Sequence, residues 1–565
     1  MVELVYILHS LSLLFVCAHT TFPLDIMKWA VKLSCEHQCN YSFDDLASRL
    51  AAQVGATNRG QQIGALHKHF LFTFSSPKSR RKLKHLKRFI QAEFTSNLAV
   101  EWHEEQVVRI RNKRDVEIIL DPLYPSQWHL HNHRLNGLDM NVTSVWQHNI
   151  TGDGVTVCIV DDGIEWTHPD LQGNYNPNGS WDLNDNDADP MPLTQDGNEH
   201  GTRCAGEIAA AVNNVCGVGV AYGAKISGVK ILAGNITDDI EAVGFIKNLD
   251  VNDIFSCSWG PLDNGEALDG PHTLTQQALL YGVEFGRRGF GAIYVVASGN
   301  GRHFKDNCNY DGYANSIYTI TIGAVDELGN VPYYSEECAA SLAVTFSGGS
   351  FGKRAIVTTE RRLSNGSSCT FKHSGTSAAA PLAAGVIALM LQANPCLSWR
   401  DVQYLIILTS TKINPYHVDW FTNSANLSHN HYLAFGLVNT WLLVNAAIIW
   451  LSVPQLTTYT SEIIHVNSEI PHTHVLTVSH YISETMLSPY QLHILEWVQI
   501  GVTIEHPCRG RLELRIQCPS GTTSVIGSSR PKDKSKFGFQ DWIFTTVRCW
   551  GEKPNGTWNI IIKDT

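Results

Sequence analysis

Five near-continuous apolar runs constrain the fold of this chain more than any other feature. VTVCIV (155–160), AKISGVKIL (224–232), DIFSCSW (253–259), GAIYVVAS (291–298) and SIYTITIGAV (316–325) scarcely alternate between apolar and polar residues. A strand with water on one face alternates; a strand apolar on both faces belongs to a parallel sheet covered by helices on either side. Helical stretches lie between the runs, for example at 201–212 and 272–288. The expectation is a doubly wound, mostly parallel α/β domain over 115–450, with its ligands beyond the carboxyl ends of the strands. After about 450 the period becomes two, as in RLELRI (511–516), and WVQIGVTIEH, DWIFTTV and TWNIIIKD follow as strands between Pro/Gly turns. Residues 451–565 therefore read as a β-sandwich.

The front of the chain differs from this body. Residues 4–16 (LVYILHSLSLLFV) have the length of an exported leader, so residues 1–20 read as a signal peptide, although no Lys or Arg precedes the run. Residues 21–114 carry 16 Lys and Arg against 8 Asp and Glu, a net of +8, and end in Arg111-Asn112-Lys113-Arg114. The whole chain is −11, which leaves −18 on residues 115–565. An acidic body makes nucleic acid a poor partner and gives the basic segment something to bind. The tetrabasic-like end sits where composition turns from basic to acidic, as a processing site would. Eight N-x-S/T sequons (Asn40, Asn141, Asn149, Asn178, Asn235, Asn365, Asn426, Asn555) and fourteen cysteines without zinc-type spacing suit the secretory pathway. No run of eighteen apolar residues follows the leader, so no transmembrane helix is expected.

Chemistry concentrates at strand ends. The stretch His373-Ser374-Gly375-Thr376-Ser377 runs into an Ala-rich apolar helix, which places Ser377 at the helix's first position and Pro381 within its first turn. A serine hydroxyl becomes a nucleophile only when an imidazole accepts its proton and a carboxylate orients that imidazole. Asp161 ends the first strand, His200 opens a helix, and Asn300 follows GAIYVVAS, ready to donate to an oxyanion with the Ser377 N–H. The loop Asp182-x4-Asp187-x-Asp189 offers three carboxylates that suit calcium.

DDGIEWTHPDL, HGTRCAGEIAA, SCSWGPLDNG, ASGNG and SGTSAAAPLAAG resemble the subtilisin/kexin-like proprotein convertases, from about residue 109 to 565. The resemblance implies a subtilisin-like domain, an α+β propeptide over 21–114 acting as chaperone and inhibitor, and a P domain over 451–565. It implies cleavage of proproteins after Arg in K/R-x-K/R-R sites, with Asp263 and Asp311 facing the first arginine. Asp162 would face the second basic position, and Glu241, Asp269 and Tyr313 the fourth. It adds a calcium site at Asp121, Asp170 and Asn214, another at Asp263, Asp306 and Glu336, and disulfides Cys216–Cys369, Cys308–Cys338 and Cys518–Cys549.

The chain also departs from that family pattern. The loop Asn213-Asn214-Val215 is one residue short, the histidine that gates propeptide release falls on Phe72 with His67 and His69 nearby, and Cys158 and Cys508 have no evident partners. The chain stops at Thr565, before any membrane-anchored tail. The reading is a calcium-dependent serine endoprotease of the secretory pathway that cleaves itself after Arg114. The alternative is a catalytically silent relative that binds or escorts basic precursors.

Overall fold

The computed structural model describes residues 2–10, 26–34, 42–62, 66, 68–75, 80–106, 119–134, 138–193, 197–349, 351–362, 368–470, 472 and 474–565. Arg111, Lys113, Arg114, Asn40, Asn365 and His67 lie outside them. The chain divides into two compact units, Leu14–Asp115 and the remainder.

In the larger unit the apolar runs become strands β1 Thr156–Asp161, β2 Trp181–Asp182, β3 Lys225–Lys230, β4 Ile254–Cys257, β5 Ile293–Ala297, β6 Thr319–Val325 and β7 Ala343–Phe346. They form one sheet in the order β7-β6-β5-β4-β1-β3-β2, with every neighbouring pair parallel. The chain turns first from β1 towards β3 and later returns to β4 on the other side of β1. The carboxyl end of β1 is thus a topological switch point, where neighbouring crossovers leave a crevice. Helices α1 His200–Ala209, α2 Asp238–Ile246, α3 Thr273–Phe285, α4 Thr376–Ala393, α5 Trp399–Thr409 and α6 Thr440–Ile448 accompany the sheet.

Helix α4 is apolar on every side and packs against α1, α6 and β4–β7. Among the described residues it is the one helix long and apolar enough to cross a membrane, and it is buried in this core. Its start differs from the expected one. The helix begins at Thr376, after Gly375 at φ +90°, so Ser377 is its second residue and Pro381 its sixth. Pro381 therefore lies past the first turn and withholds the N–H that would have bonded the Ser377 carbonyl.

Leu456–Thr460, Val2–Ser10, Val498–Ile504 and Phe539–Thr546 form one sheet of the C-terminal sandwich, with Ile464–Val466 paired beside Val2–Ser10. Val475–Ile482, Gly556–Asp564, Leu512–Gln517 and Thr523–Gly527 form the other. A leader is expected to be cut away, whereas here Val2–Ser10 is a strand, antiparallel to both Leu456–Thr460 and Val498–Ile504. Its apolar, β-branched residues suit a strand as well as a leader, and pairing on both sides satisfies its backbone groups. Residues 11–20 of the expected leader are not described.

The smaller unit is α+β. Helices Phe43–Gln53 and Arg80–Ser96 accompany an antiparallel sheet ordered Thr57–Gln62, His69–Ser75, Ile26–Leu33, Val100–Gln106. Phe72 is wholly buried in its core, and His69 lies beside the Trp102 ring.

Disulfides join Cys216 to Cys369, Cys308 to Cys338 and Cys518 to Cys549. Cys158, Cys204 and Cys257 are buried thiols and Cys508 a half-buried one. Of the described sequon residues, Asn149, Asn178, Asn235 and Asn426 are exposed, and Asn141 and Asn555 half-buried.

The close approach of α4 to the loop before β3 is set by Gly385, where a Cβ would come 2.7 Å from the Val220 Cβ. Gly385→Ala should overpack this contact and cost about 1–3 kcal/mol in chemical denaturation.

Candidate active site

The switch point gathers the strand-end residues. Asp161, 1% exposed, closes β1, and both its oxygens lie 2.9 Å from His200 Nδ1 at the start of α1. Burial works against charge on His200, but the carboxylate of Asp161 holds the imidazole well above its usual value. Asn300 follows β5. Its Oδ1 accepts from the Thr376 N–H (2.8 Å) and hydroxyl (3.1 Å), which assigns Oδ1 to α4 and leaves Nδ2 as a donor.

Ser377 Oγ donates to the Ser258 carbonyl at 3.2 Å, not to His200. Nucleophile–base contacts are commonly loose before substrate binds. The carbonyl of Ser377, freed by Pro381, accepts from Ser258 Oγ at 3.0 Å and is approached by Cys204 Sγ at 3.8 Å. Ser258 at the end of β4 therefore touches both the hydroxyl and the carbonyl of Ser377. Sequence reasoning missed it, although SCSWG places a hydroxyl at a strand end, where it could have been sought. Behind His200, Cys204 Sγ lies 4.0 Å from His200 Nδ1 and 3.9 Å from His373 Nε2. Burial pushes the Cys204 thiol up to about 11, so it is protonated and inert as a base.

Asp162, expected to face the second basic position, meets the start of α1. Its oxygens accept from the His200 (3.1 Å) and Gly201 (2.7 Å) amides, so it caps α1, and it is 6% exposed. Burial, then the adjacent Asp161, pushes its carboxyl up to about 7.

Glu241, Asp269 and Tyr313 do come together. They line one cavity of about 310 Å³ with Asp238, Trp259 and His272. Tyr313 donates to Glu241 at 2.5 Å, and burial raises the Glu241 carboxyl. Asp238 and His272 were not anticipated; both flank the expected acids at helix starts. Next to this cavity Asp311 accepts from the Tyr313 (2.7 Å) and Ala314 (3.3 Å) amides. Burial pushes its carboxyl up to about 8, with backbone amides opposing and Asp263 and Asp306 adding to the rise. Asp263 accepts from the Asn300 backbone N–H at 2.9 Å, which couples this acid to the position of Asn300.

The three expected calcium groups fare unequally. Asp263, Asp306 and Glu336 crowd one another: burial and then Asp306 and Asp263 raise the Glu336 carboxyl well above its ordinary range. Asp121 and Asp170 are both buried, and Asp170 is pushed up to about 7 by burial. Here Asn213, not Asn214, joins the pair: its amide N–H reaches Asp121 (3.0 Å) and its Nδ2 reaches Asp170 (3.2 Å). Asn214 is exposed. In the third group, one oxygen of Asp182 pairs with buried Lys230 at 2.6 Å and the other accepts two turn amides, while Asp187 and Asp189 are exposed.

The subtilase family model matches residues 152–434, the peptidase S8 pro-domain model residues 28–114, and the proprotein convertase P-domain model residues 495–565. Proprotein convertase subtilisin/kexin type 7 of Mus musculus is 52% identical over 547 residues, which span 95% of this chain and 70% of that protein. The Homo sapiens protein of the same name is 53% identical, over 93% of this chain and 67% of its own. Furin of Mus musculus is 42% identical over 92% of this chain and 64% of its own. A serine protease of Aeromonas sobria shares the fold, with a TM-score of 0.70 at 22% identity over 79% of this chain and 89% of that one. The chain belongs to the subtilases, which are serine endopeptidases, and within them to the proprotein convertases.

Ser258→Ala strips the Ser377 carbonyl of its hydroxyl donor. It should cost about 1–3 kcal/mol of stability, because a buried carbonyl is left with only a weak thiol contact. Thermal unfolding of the variant against wild type checks this.

Proposed function

We propose that this chain is a calcium-dependent endoprotease of the secretory pathway that cleaves proproteins after arginine at multibasic sites and matures by cutting itself after Arg114. The observation that carries the reading is the convergence of Asp161, His200, Asn300 and Ser377 at the end of a sheet flanked by a cavity lined with acids. Ser377 Oγ attacks the scissile carbonyl while His200 Nε2 takes its proton. Asp161 fixes the tautomer and stabilises the imidazolium. Asn300 Nδ2 and the Ser377 N–H at the start of α4 stabilise the oxyanion, and one such donor contributes about 2.7–4 kcal/mol. His200 then returns the proton to the leaving amine. Because Asp161 raises its basicity, His200 accepts the Ser377 proton only in its neutral form, and activity should fall as pH drops and the imidazole becomes protonated.

Specificity follows from charge. Asp263 and Asp311 receive the guanidinium of the first arginine, and Glu241, Asp269 and Tyr313 receive the fourth basic residue. Asp162, engaged with α1, offers the second position a negative field more than a free carboxylate. Calcium fits Asp121 with Asp170, two buried carboxylates, and Asp263, Asp306 and Glu336, where three carboxylates meet the single guanidinium of Arg530. When bound it supplies charge neutralisation and ties loops together. The propeptide at +8 is drawn to a body at −18, and its end repeats the expected substrate.

Cleavage of an Arg-x-Lys-Arg reporter should be lost on chelation, and Ser377→Ala should neither cleave it nor process its own precursor. N-terminal sequencing of processed wild type should read Asp115-Val116-Glu117. Processing of Ser377→Ala in cells without other convertases would sink self-cleavage. Asp311 provides a pH signature. Its carboxyl, raised to about 8, must lose its proton to pair with a guanidinium, so KM for an arginine-ended peptide should climb as pH falls below that value. Asp311→Asn should have a high KM that is flat over the same range.

A further inference from the structure

The segment from Asp263 to Asp269 spans the two acid pockets, and much of what holds it comes from the sandwich domain. The Gly265 amide donates to Asp306 Oδ2 at 2.7 Å. The Glu266 carbonyl accepts from Arg509 at 2.9 Å and from Arg530 at 3.3 Å, and the Ala267 carbonyl accepts from Arg530 at 2.5 Å. The same guanidinium reaches Asp306 Oδ1 at 3.0 Å and Asp533 Oδ2 at 2.5 Å. It lies 3.7 Å over the Tyr310 ring and has no solvent exposure. A planar fork can join a carboxylate to two carbonyls in fixed geometry, which a lysine ammonium cannot reproduce.

We infer that Arg530 is a positioning residue for substrate selection: from the sandwich domain it fixes the Glu266–Ala267 backbone and Asp306, and with them the placing of Asp263 and Asp269. The inference rests on the specificity proposed above. A contrast within the same molecule separates this role from simple domain docking. Arg400 of α5 is also buried and pairs with Glu496 of the sandwich, but its other partner is the Pro454 carbonyl, and none of its contacts reaches the 263–269 segment. Both arginines join the two folds. Arg530 alone of the two touches the pocket wall.

The test uses the full chain with calcium present and compares reporters ending in arginine and in lysine. Arg530→Met should raise KM for the arginine reporter about ten- to hundredfold and narrow the preference for arginine, with kcat within about threefold, because misplacing a binding wall weakens positioning more than chemistry. Arg400→Met should lower the unfolding temperature with KM unchanged. Thermal unfolding is measured in the Ser377→Ala background so that self-cleavage does not intrude. If Arg530→Met fails to fold, Arg530→Lys decides: it keeps the charge without the fork, and a raised KM supports the inference while an unchanged KM overturns it. A selective wild type with Arg530→Met kinetics like those of Arg400→Met overturns the inference alone. A wild type indifferent to the terminal residue overturns the specificity reading and this inference together.

Discussion

The carbonyl of Ser377 is the atom on which the site turns. Pro381 denies it the helical hydrogen bond that any other residue at that position would supply. Ser258 fills the place from the end of β4, and Asn300 holds the neighbouring Thr376 amide from the end of β5. Two strands of the sheet thus fix the first turn of α4 through side-chain bonds to its backbone. Because α4 is buried along nearly its whole length, that turn has no freedom to adjust. Ser377 is positioned by everything around it more than by its own side chain.

Much of this was legible in the sequence, for a physical reason. Asp161, His200, Asn300 and Ser377 each adjoin a strand end or a helix start, and a doubly wound sheet brings such positions to one edge regardless of loop detail. The acids of the 310 Å³ cavity were legible only through resemblance, since nothing local distinguishes Glu241 from a solvated helix acid. What escaped was pairing across long separations. Lys230 reaches Asp182 from 48 residues away, and Arg530 reaches Asp306 from 224 residues away. Asn213, and not the neighbouring Asn214, bonds Asp121 and Asp170, a choice that no composition argument detects. The N-terminal run illustrates the opposite limit, because an apolar, β-rich stretch carries the same pattern whether it is exported as a leader or paired in a sheet.

Electrostatically the larger unit is loaded against itself. Asp162, Asp170, Asp263, Asp311 and Glu336 all have carboxyls raised chiefly by burial. Such groups favour the protonated form in the folded chain, so each is a place where a cation, a guanidinium or a helix amide gains by arriving. Asp162 and Asp311 have backbone amides, and Asp306 has Arg530. The acids that define the pocket are therefore also its least settled groups.

The contact between α5 and the sandwich has a consequence for how the molecule comes apart. Trp399 stacks on Trp497 at 5.6 Å, Tyr404 packs on Trp550 and bonds Glu496, and Arg400 is sealed between the two folds. A chain ended at residue 450 would bare two aromatic rings and leave a guanidinium in an apolar wall without its carboxylate. The seam near 450 separates two patterns of sequence, yet it is no line of cleavage in the energy landscape. The α/β layer and the sandwich should therefore unfold as one cooperative body, and neither could be exchanged for another module without rewriting the face it meets.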